Sequence, residues 1–499
     1  MVIGKRLRRQ RSGHSGSIDA SATVAVQDEF VDALAAIVGH DRVLSRPFEK
    51  ALYAKDASAI DPAAPGVIVL PGTSRQIQAC VRVAIAHHRA ITPRGSGTGL
   101  AGGAVPLGDP LVIVTSKMNR VLRIDVDERF AWVEPGVLNL DLTKATSAFG
   151  LHYAPDPSSQ QTCSIGGNVG TNAGGPHCLA HGVTSAHILA LEVVMPDGEL
   201  VVLGSESGDS PGYDVRGLLV GSEGTMGIVT KVCVRLMVNP PAIRTMLADF
   251  ATIREASDAV SFVIAGGTLP AALEMMDANC IRAVENWAKA GLPLDAGAVL
   301  LIEIEGVPEG IEPSVAEIRK RCLDSGARSV RVAATAEERA LLWKARKSAF
   351  GAIANIKPDY YLHDAVVPRT KLAEVMERVV EIADRHELIV LNVFHAGDGN
   401  LHPLLVFDGR EPGVMERVHG AGREIVEVCI AVGGMLSGEH GIGLEKKDYL
   451  PLVFTPEELE HQAIIRSMFD PDSRFNPEKV LPSSATCGEL RRVPEGAWI

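Results

Sequence analysis

Apolar positions along this chain fall into two kinds of run. Short, β-branched-rich stretches bounded by Gly, Pro, Asn or Asp read as strands. Longer stretches with apolar residues three and four apart read as helices. In the first half the pattern predicts a helix over 28–38 closed by Gly39 and a strand at 65–71. Thr73-Ser74-Arg75-Gln76 is a capping-box signature for a helix running to about His88. Strands are expected at 90–92, 111–115, 121–125 and 131–133, a helix over 139–149, and further strands at 190–195, 200–203 and 228–236.

The composition changes at Asn239-Pro240-Pro241. Beyond it, helices expected near 253–265, 313–325, 336–350, 371–386 and 411–432 alternate with strands near 298–305 and 388–394, an α+β pattern with its own core. The organisation implied is a basic tail and helical region over 1–45, a first domain over 46–237, a second over 238–450, and a segment over 451–499. That last segment is turn-rich at Phe469-Asp470-Pro471-Asp472 and Phe475-Asn476-Pro477, and is expected to return to the first domain. There are no internal repeats and no low-complexity tract.

The length of 499 residues, 46% of them hydrophobic, suits two or three domains. A net charge of -12 argues against a nucleic-acid partner. The eight cysteines are scattered without a Cys-x-x-Cys, which argues against an iron–sulfur cluster or zinc finger and for reduced thiols in a cytoplasmic protein. No apolar run approaches the roughly 18–20 residues of a membrane helix. Residues 1–18 carry Lys5, Arg6, Arg8, Arg9 and Arg11 and no acidic residue. Without an apolar core they are not a secretory signal, and a disordered tail is favoured over a transit peptide.

The most informative chemistry is at 394–403, Phe-His-Ala-Gly-Asp-Gly-Asn-Leu-His-Pro, between two apolar runs. This reads as a β-hairpin. With the turn over 397–400, His395 faces His402, with Cβ atoms roughly 4.5–5.5 Å apart. Two such imidazoles can grip one divalent metal, and Gly438-Glu439-His440-Gly441 offers a third ligand. The alternative is a histidine pair on a strand surface.

Three glycine-rich segments lie within the first domain. Gly97-Thr98-Gly99-Leu100-Ala101-Gly102 matches Gly-x-Gly-x-x-Gly literally, but Gly103, Pro106, Gly108 and Pro110 forbid the helix that a Rossmann site requires. Its amides can still cradle a pyrophosphate. Ile165 to Gly175 and Gly221 to Ile228 are the other two. Each alone could be a structural turn; together they suggest a backbone wrapped around an extended ligand of dinucleotide size.

Pro93-Arg94-Gly95-Ser96-Gly97-Thr98-Gly99, Ile165-Gly166-Gly167-Asn168 and Gly221-Ser222-Glu223-Gly224 together resemble the FAD-binding fold of the vanillyl-alcohol-oxidase superfamily. Leu273-Glu274-Met275-Met276-Asp277, the histidine hairpin and Gly438-Glu439-His440-Gly441-Ile442-Gly443 resemble its FAD-binding D-2-hydroxyacid dehydrogenase branch. Trp343-Lys344-Ala345-Arg346-Lys347 with Pro358-Asp359-Tyr360-Tyr361 resembles the FAD-linked subunits of bacterial glycolate oxidases. The likeness spans roughly 45–482. The fold class it implies is α+β: a two-subdomain FAD-binding domain of the vanillyl-alcohol-oxidase type with an α+β cap domain.

The resemblance also implies site residues. Arg94 opens the first loop, and Gly95, Ser96, Gly97, Thr98 and Gly99 would hold the pyrophosphate. Thr162, Gly166, Gly167, Asn168 and Asn172 would line the flavin and its linker. Glu223, Gly224 and Ile228 would contact the adenine end. Some relatives attach flavin through a His in the first loop; Ser96 stands in that stretch and no His does, so FAD is expected to be non-covalent. His395, His402 and Glu439 would hold a divalent, zinc-like metal that lowers the pKa of a substrate hydroxyl. His440 would be the general base and Arg346 would bind the substrate carboxylate. Without the resemblance, Arg346 reads as part of a solvated helix face. Relatives acting on 2-hydroxyglutarate carry Asn where this chain has Leu404, which favours small substrates.

The expected activity is FAD-dependent oxidation of glycolate or another small D-2-hydroxyacid to the 2-oxoacid. Alternatives are a D-lactate or D-2-hydroxyglutarate dehydrogenase, a non-catalytic flavin-binding accessory subunit, and a flavoenzyme without net redox, as in ether-lipid synthesis. Retention of His395, His402, Glu439 and His440 opposes the accessory reading. The expected partners are a second flavin-type subunit and an iron–sulfur subunit, through which a cytoplasmic protein would sit peripheral to the inner membrane.

Overall fold

The computed structural model describes residues 20–208 and 211–482. The basic tail and Cys487 lie outside the described residues. The first helix, Ala20–Val38, starts earlier than its apolar pattern indicates.

The first domain contains two larger sheets. One runs Val43–Leu44, Val67–Val69, Leu111–Val114, Ile91–Arg94 in spatial order, and its last three strands are parallel. Parallel neighbours need a crossover, and helix Ser74–Ala86 supplies one, burying Ile77, Cys80, Val81 and Ala84 along one stripe. Thr73 caps it by accepting from Gln76 N at 3.2 Å, but the Gln76 side chain accepts from Gly72 N, so the capping box is only half made. The second sheet is antiparallel, ordered Val121–Asp125, Phe130–Val133, Ile228–Arg235, Ile188–Val194, Leu200–Gly204.

The second domain is built on a large antiparallel sheet whose central strands are Ala242–Phe250, Ala298–Gly306, Ala272–Asp277 and Ile389–His395. Helices cover both faces, so the strands are buried over most of their length and read as largely apolar runs. Side chains alternate between the two layers. Met246, Ala248, Leu300, Ile302 and Met275 pack under helices Ile253–Ala265, Pro308–Asp324, Leu372–Arg385 and Val414–Ala431. Leu247, Val299, Leu301, Met276, Leu391 and Val393 pack under helices Ala278–Ala288 and Ala336–Lys347. On this second face the apolar pattern is interrupted by Glu274, Glu303 and His395, all buried.

Near the C-terminus, Phe475 is buried in the core of the first domain. Asn476 N donates to Ile91 O, and Asn476 Nδ2 donates to the carbonyls of Gly103 and Glu223. Seven described cysteines are free thiols, and six of them are buried.

Candidate active site

A cavity of about 530 Å³ lies between the glycine-rich segments of the first domain and the second domain. Cofactor and substrate sites typically occupy roughly 300–1,000 Å³. Strand Ile91–Arg94 delivers the first loop, and Arg94, Gly95, Ser96, Gly97, Thr98 and Gly99 all line the cavity. Gly97 has φ +75°, and a Cβ there would stand 2.2 Å from Arg94 Nη2, so the loop can close over that guanidinium only with glycine.

The second segment contains a short helix, Ile165–Thr171, whose Ser164 cap accepts from Gly167 N. Ile165 N and Gly166 N donate to Val137 O and Pro135 O. Gly166 is needed because a Cβ would lie 2.6 Å from Pro135 Cβ. Gly166, Gly167 and Asn168 line the cavity as expected, but Thr162 and Asn172 do not. Thr162 is exposed on the turn before the helix and donates to Ser159 O, while Asn172 ends the helix in the left-handed region and accepts from Ser185 N.

In the third segment, Glu223, Gly224 and Ile228 line the cavity. Glu223 Oε1 accepts from Ile442 N at 2.7 Å and Gly443 N at 3.0 Å, so this side chain also reaches the loop that follows His440. Burial pushes its carboxyl up, and Oε2 is buried without a partner.

The histidine hairpin forms in a different register from the one expected. His395 faces Asn400, and His402 falls two positions beyond it. Asp398 accepts from Asn400 N and Gly399 takes φ +78°, so the turn closes over 396–399. A shift of two residues preserves the side-chain face. The imidazoles therefore still meet, their centroids 5.1 Å apart.

Glu439 Oε1 lies 3.3 Å from His395 Nε2 and 3.1 Å from His402 Nε2, while its Oε2 is buried without a partner. One ligand atom from each of the three residues falls within 4.8 Å of the others. Two imidazoles converging on a carboxylate with an orphaned oxygen fit a divalent cation. The outer contacts suit the same role, with His395 Nδ1 on Glu274 at 2.8 Å and His402 Nδ1 on His363 O at 3.4 Å, leaving both Nε2 atoms inward. Burial opposes charge on Glu439, but the facing His395 and His402 hold its carboxyl well below the usual range.

His440 stacks on His402 with centroids 5.0 Å apart. Burial pushes its imidazole down to about 4, against the pull of nearby Asp364, so the ring is neutral and able to accept a proton at ordinary pH. The loop bearing His440 wraps around that same aspartate. Asp364 accepts from Gly438 N, Glu439 N and His440 N, from Ser437 Oγ and Asn400 Nδ2, and pairs with Lys446 at 3.1 Å.

Arg346 is 1% exposed, which overturns the solvated-face reading. Its Nη2 pairs with Glu274 Oε2 at 2.6 Å, and its Nε and Nη1 are buried without partners beside the cavity. Glu274 thus orients both His395 and Arg346. Its signal was a carboxylate inside an apolar strand, with nothing local to say what it served. Leu404 pairs with Leu362 and Leu391 in the apolar layer and does not line the cavity.

An FAD binding domain model matches residues 65–204, and the C-terminal domain model of FAD linked oxidases matches residues 239–480. The chain belongs to the FAD-linked oxidases. This oxidase is 43% identical over 426 residues to glycolate oxidase subunit GlcD of Escherichia coli, with 85% of each chain covered. It is 34% identical over 418 residues to a D-lactate dehydrogenase of Archaeoglobus fulgidus, covering 83% of this chain and 91% of that one. Among solved structures, 4-ethylphenol oxidase from Gulosibacter chungangensis superposes with a TM-score of 0.78 at 19% identity, over 94% of this chain and 99% of that one. That likeness establishes the fold alone, which is the vanillyl-alcohol-oxidase type expected. The oxidase is an FAD-dependent enzyme. Among the described residues, no helix is long and apolar enough to cross a membrane.

Proposed function

We propose that this FAD-linked oxidase converts glycolate, or another small D-2-hydroxyacid, to the 2-oxoacid. The observation that carries this reading is the meeting at one cavity of Arg346, with two buried unpartnered N–H-bearing nitrogens, and His440, a neutral buried imidazole. The GlcD and D-lactate dehydrogenase relatives support the substrate class by name.

Bound FAD supplies the two-electron acceptor. A divalent ion on His395, His402 and Glu439 would supply Lewis acidity toward a substrate hydroxyl. Arg346 pairs with the substrate carboxylate through a free N–H, with its fixed positive charge attracting the anion. His440 takes the hydroxyl proton at Nε2, while its Nδ1 faces Asp364 at 3.9 Å. Phe350 and Tyr360 add aromatic surface beside Arg346, and Lys347, the neighbouring cation, is turned toward Asp156 at 3.8 Å.

The GlcD relative is named as a subunit. The corresponding reading here is a flavin chain within a multi-subunit enzyme, passing electrons to a second flavin-type chain and an iron–sulfur chain. It would be cytoplasmic and held at the inner membrane only through those partners.

Anaerobic titration of the purified flavoprotein with glycolate, D-lactate, L-lactate and D-2-hydroxyglutarate tests the activity. Bleaching of the oxidised-flavin band by glycolate or D-lactate is the expected result. A flavin band that no hydroxyacid bleaches would overturn the reading.

A further inference from the structure

One histidine outside the proposed chemistry joins both walls of the cavity. His177 follows the helix Ile165–Thr171 in the first domain. Its Nδ1 lies 3.0 Å from Asp156 Oδ2, and its Nε2 lies 3.3 Å from Glu303 Oε1 in the central sheet of the second domain. Its ring stacks on Trp343, with centroids 5.4 Å apart and planes at 29°. Glu303 is fully buried and accepts from Trp343 Nε1 at 2.6 Å and from Arg339 at 2.8 and 2.9 Å. Both ring nitrogens of His177 therefore face carboxylates, an arrangement that requires both to carry protons.

The two groups it joins lead directly to the cavity. Asp156 immediately precedes Pro157, Ser158 and Ser159, which line it from the first domain. Trp343 and Arg339 lie on helix Ala336–Lys347, one turn and two turns before Arg346.

We propose that His177 is a positioning residue, a charged pin that sets helix Ala336–Lys347 against the 154–159 wall and thereby fixes the reach of Arg346 into the cavity. This rests on Arg346 binding the substrate carboxylate. Burial alone would lower the imidazole's affinity for a proton, but Asp156 and Glu303 outweigh it and raise the group to about 10, so the pin is charged throughout the ordinary range. The other charged or titratable groups around it are Lys347 and Arg339 on the helix, His181 paired with Glu305 at 3.2 Å, and His152 beside His181.

The test uses the holoenzyme with His177→Gln, which keeps polarity but loses the charge, and His177→Phe, which keeps the stack. Two readouts are taken: steady-state kinetics, and hydrogen exchange of segments 154–159 and 336–347. The expected result is a KM for the hydroxyacid raised roughly tenfold with a much smaller fall in kcat, full FAD content, and faster exchange in both segments. A merely structural histidine would lower the melting temperature and leave KM unmoved, and that outcome would overturn the proposal. The exchange readout needs no substrate. If no hydroxyacid reduces the wild-type flavin, faster exchange in both segments still supports the pin, and unchanged exchange rejects it.

Discussion

Asp364 Oδ2 accepts from the backbone N–H of His440 at 3.0 Å and stands 3.9 Å from the Nδ1 of the same residue. One buried carboxylate thus holds the main chain of the proposed base and stands close to its ring. Three successive amides, Gly438, Glu439 and His440, converge on it as they would on a bound anion. Asp364→Asn keeps the shape but replaces one acceptor oxygen with a donor pointed at those amides. Activity is expected to fall roughly 10–100-fold, the usual cost of losing an outer-shell partner, with FAD content unchanged. Turnover per bound flavin is the measurement, and unchanged turnover would remove Asp364 from the site.

The three-ligand geometry predicts that His395→Ala and His402→Ala lose metal and activity together. Flavin should stay bound, because neither residue belongs to the glycine-rich segments. Elemental analysis of the purified variants, beside their flavin absorbance, checks this. Metal content equal to wild type in both would refute the site.

These side chains were unequally legible in the sequence. The glycine-rich segments and the histidine hairpin are local patterns, and both are visible in the sequence as candidates. The hairpin register was misjudged by two residues because Asp398 and Gly399 close the turn early, yet the even shift kept His395 and His402 on one face. Thr162 does not line the cavity, because the turn before the helix leaves it exposed. Glu274, Glu303 and Asp364 could not be assigned at all. Their partners lie 121 residues away for Glu274 with His395, 126 for His177 with Glu303, and 76 for His440 with Asp364. A carboxylate in an apolar strand signals a buried partner, but only the fold says which.

Arg346 is the clearest case for separating binding from turnover. Arg346→Ala would take the guanidinium from buried Glu274 and leave it only His395 Nδ1, a change costing up to about 3–5 kcal/mol, so loss of activity in that variant would mix two effects. Arg346→Lys keeps a cation for Glu274 and loses the planar fork. The expected outcome is a KM raised roughly ten- to hundredfold, the worth of one hydrogen bond to a charged group, with a smaller change in kcat. Steady-state kinetics on the substrate that bleaches the flavin decide it. An unaltered KM would mean that the carboxylate binds elsewhere.

Ser96 occupies the first loop, where some relatives carry a flavin-linking histidine, and no histidine falls between Pro93 and Pro106. Acid precipitation should therefore release all the flavin into the supernatant. Flavin retained in the washed pellet would show a covalent link to some other side chain and contradict the non-covalent assignment.

The His177 seam also makes a signed prediction about pH. Its folded-state pKa is raised to about 10 from a reference of 6.5. Such a group contributes stability that is fully present below 6.5 and is lost as the pH rises through 10. The facing groups that set this are Asp156 and Lys347 on one side and Glu303, Arg339, His181 and Glu305 on the other. Comparison of wild type with His177→Gln cancels titrations that both proteins share. The difference in unfolding free energy between them, measured by denaturant titration, should be greatest at pH 6, shrink steadily through pH 8, and approach its floor near pH 10. Any floor that remains reports the stacking on Trp343, which does not depend on charge. A difference that stays constant from pH 6 to pH 10 would mean that His177 is neutral in the folded protein and that the seam is held by packing alone.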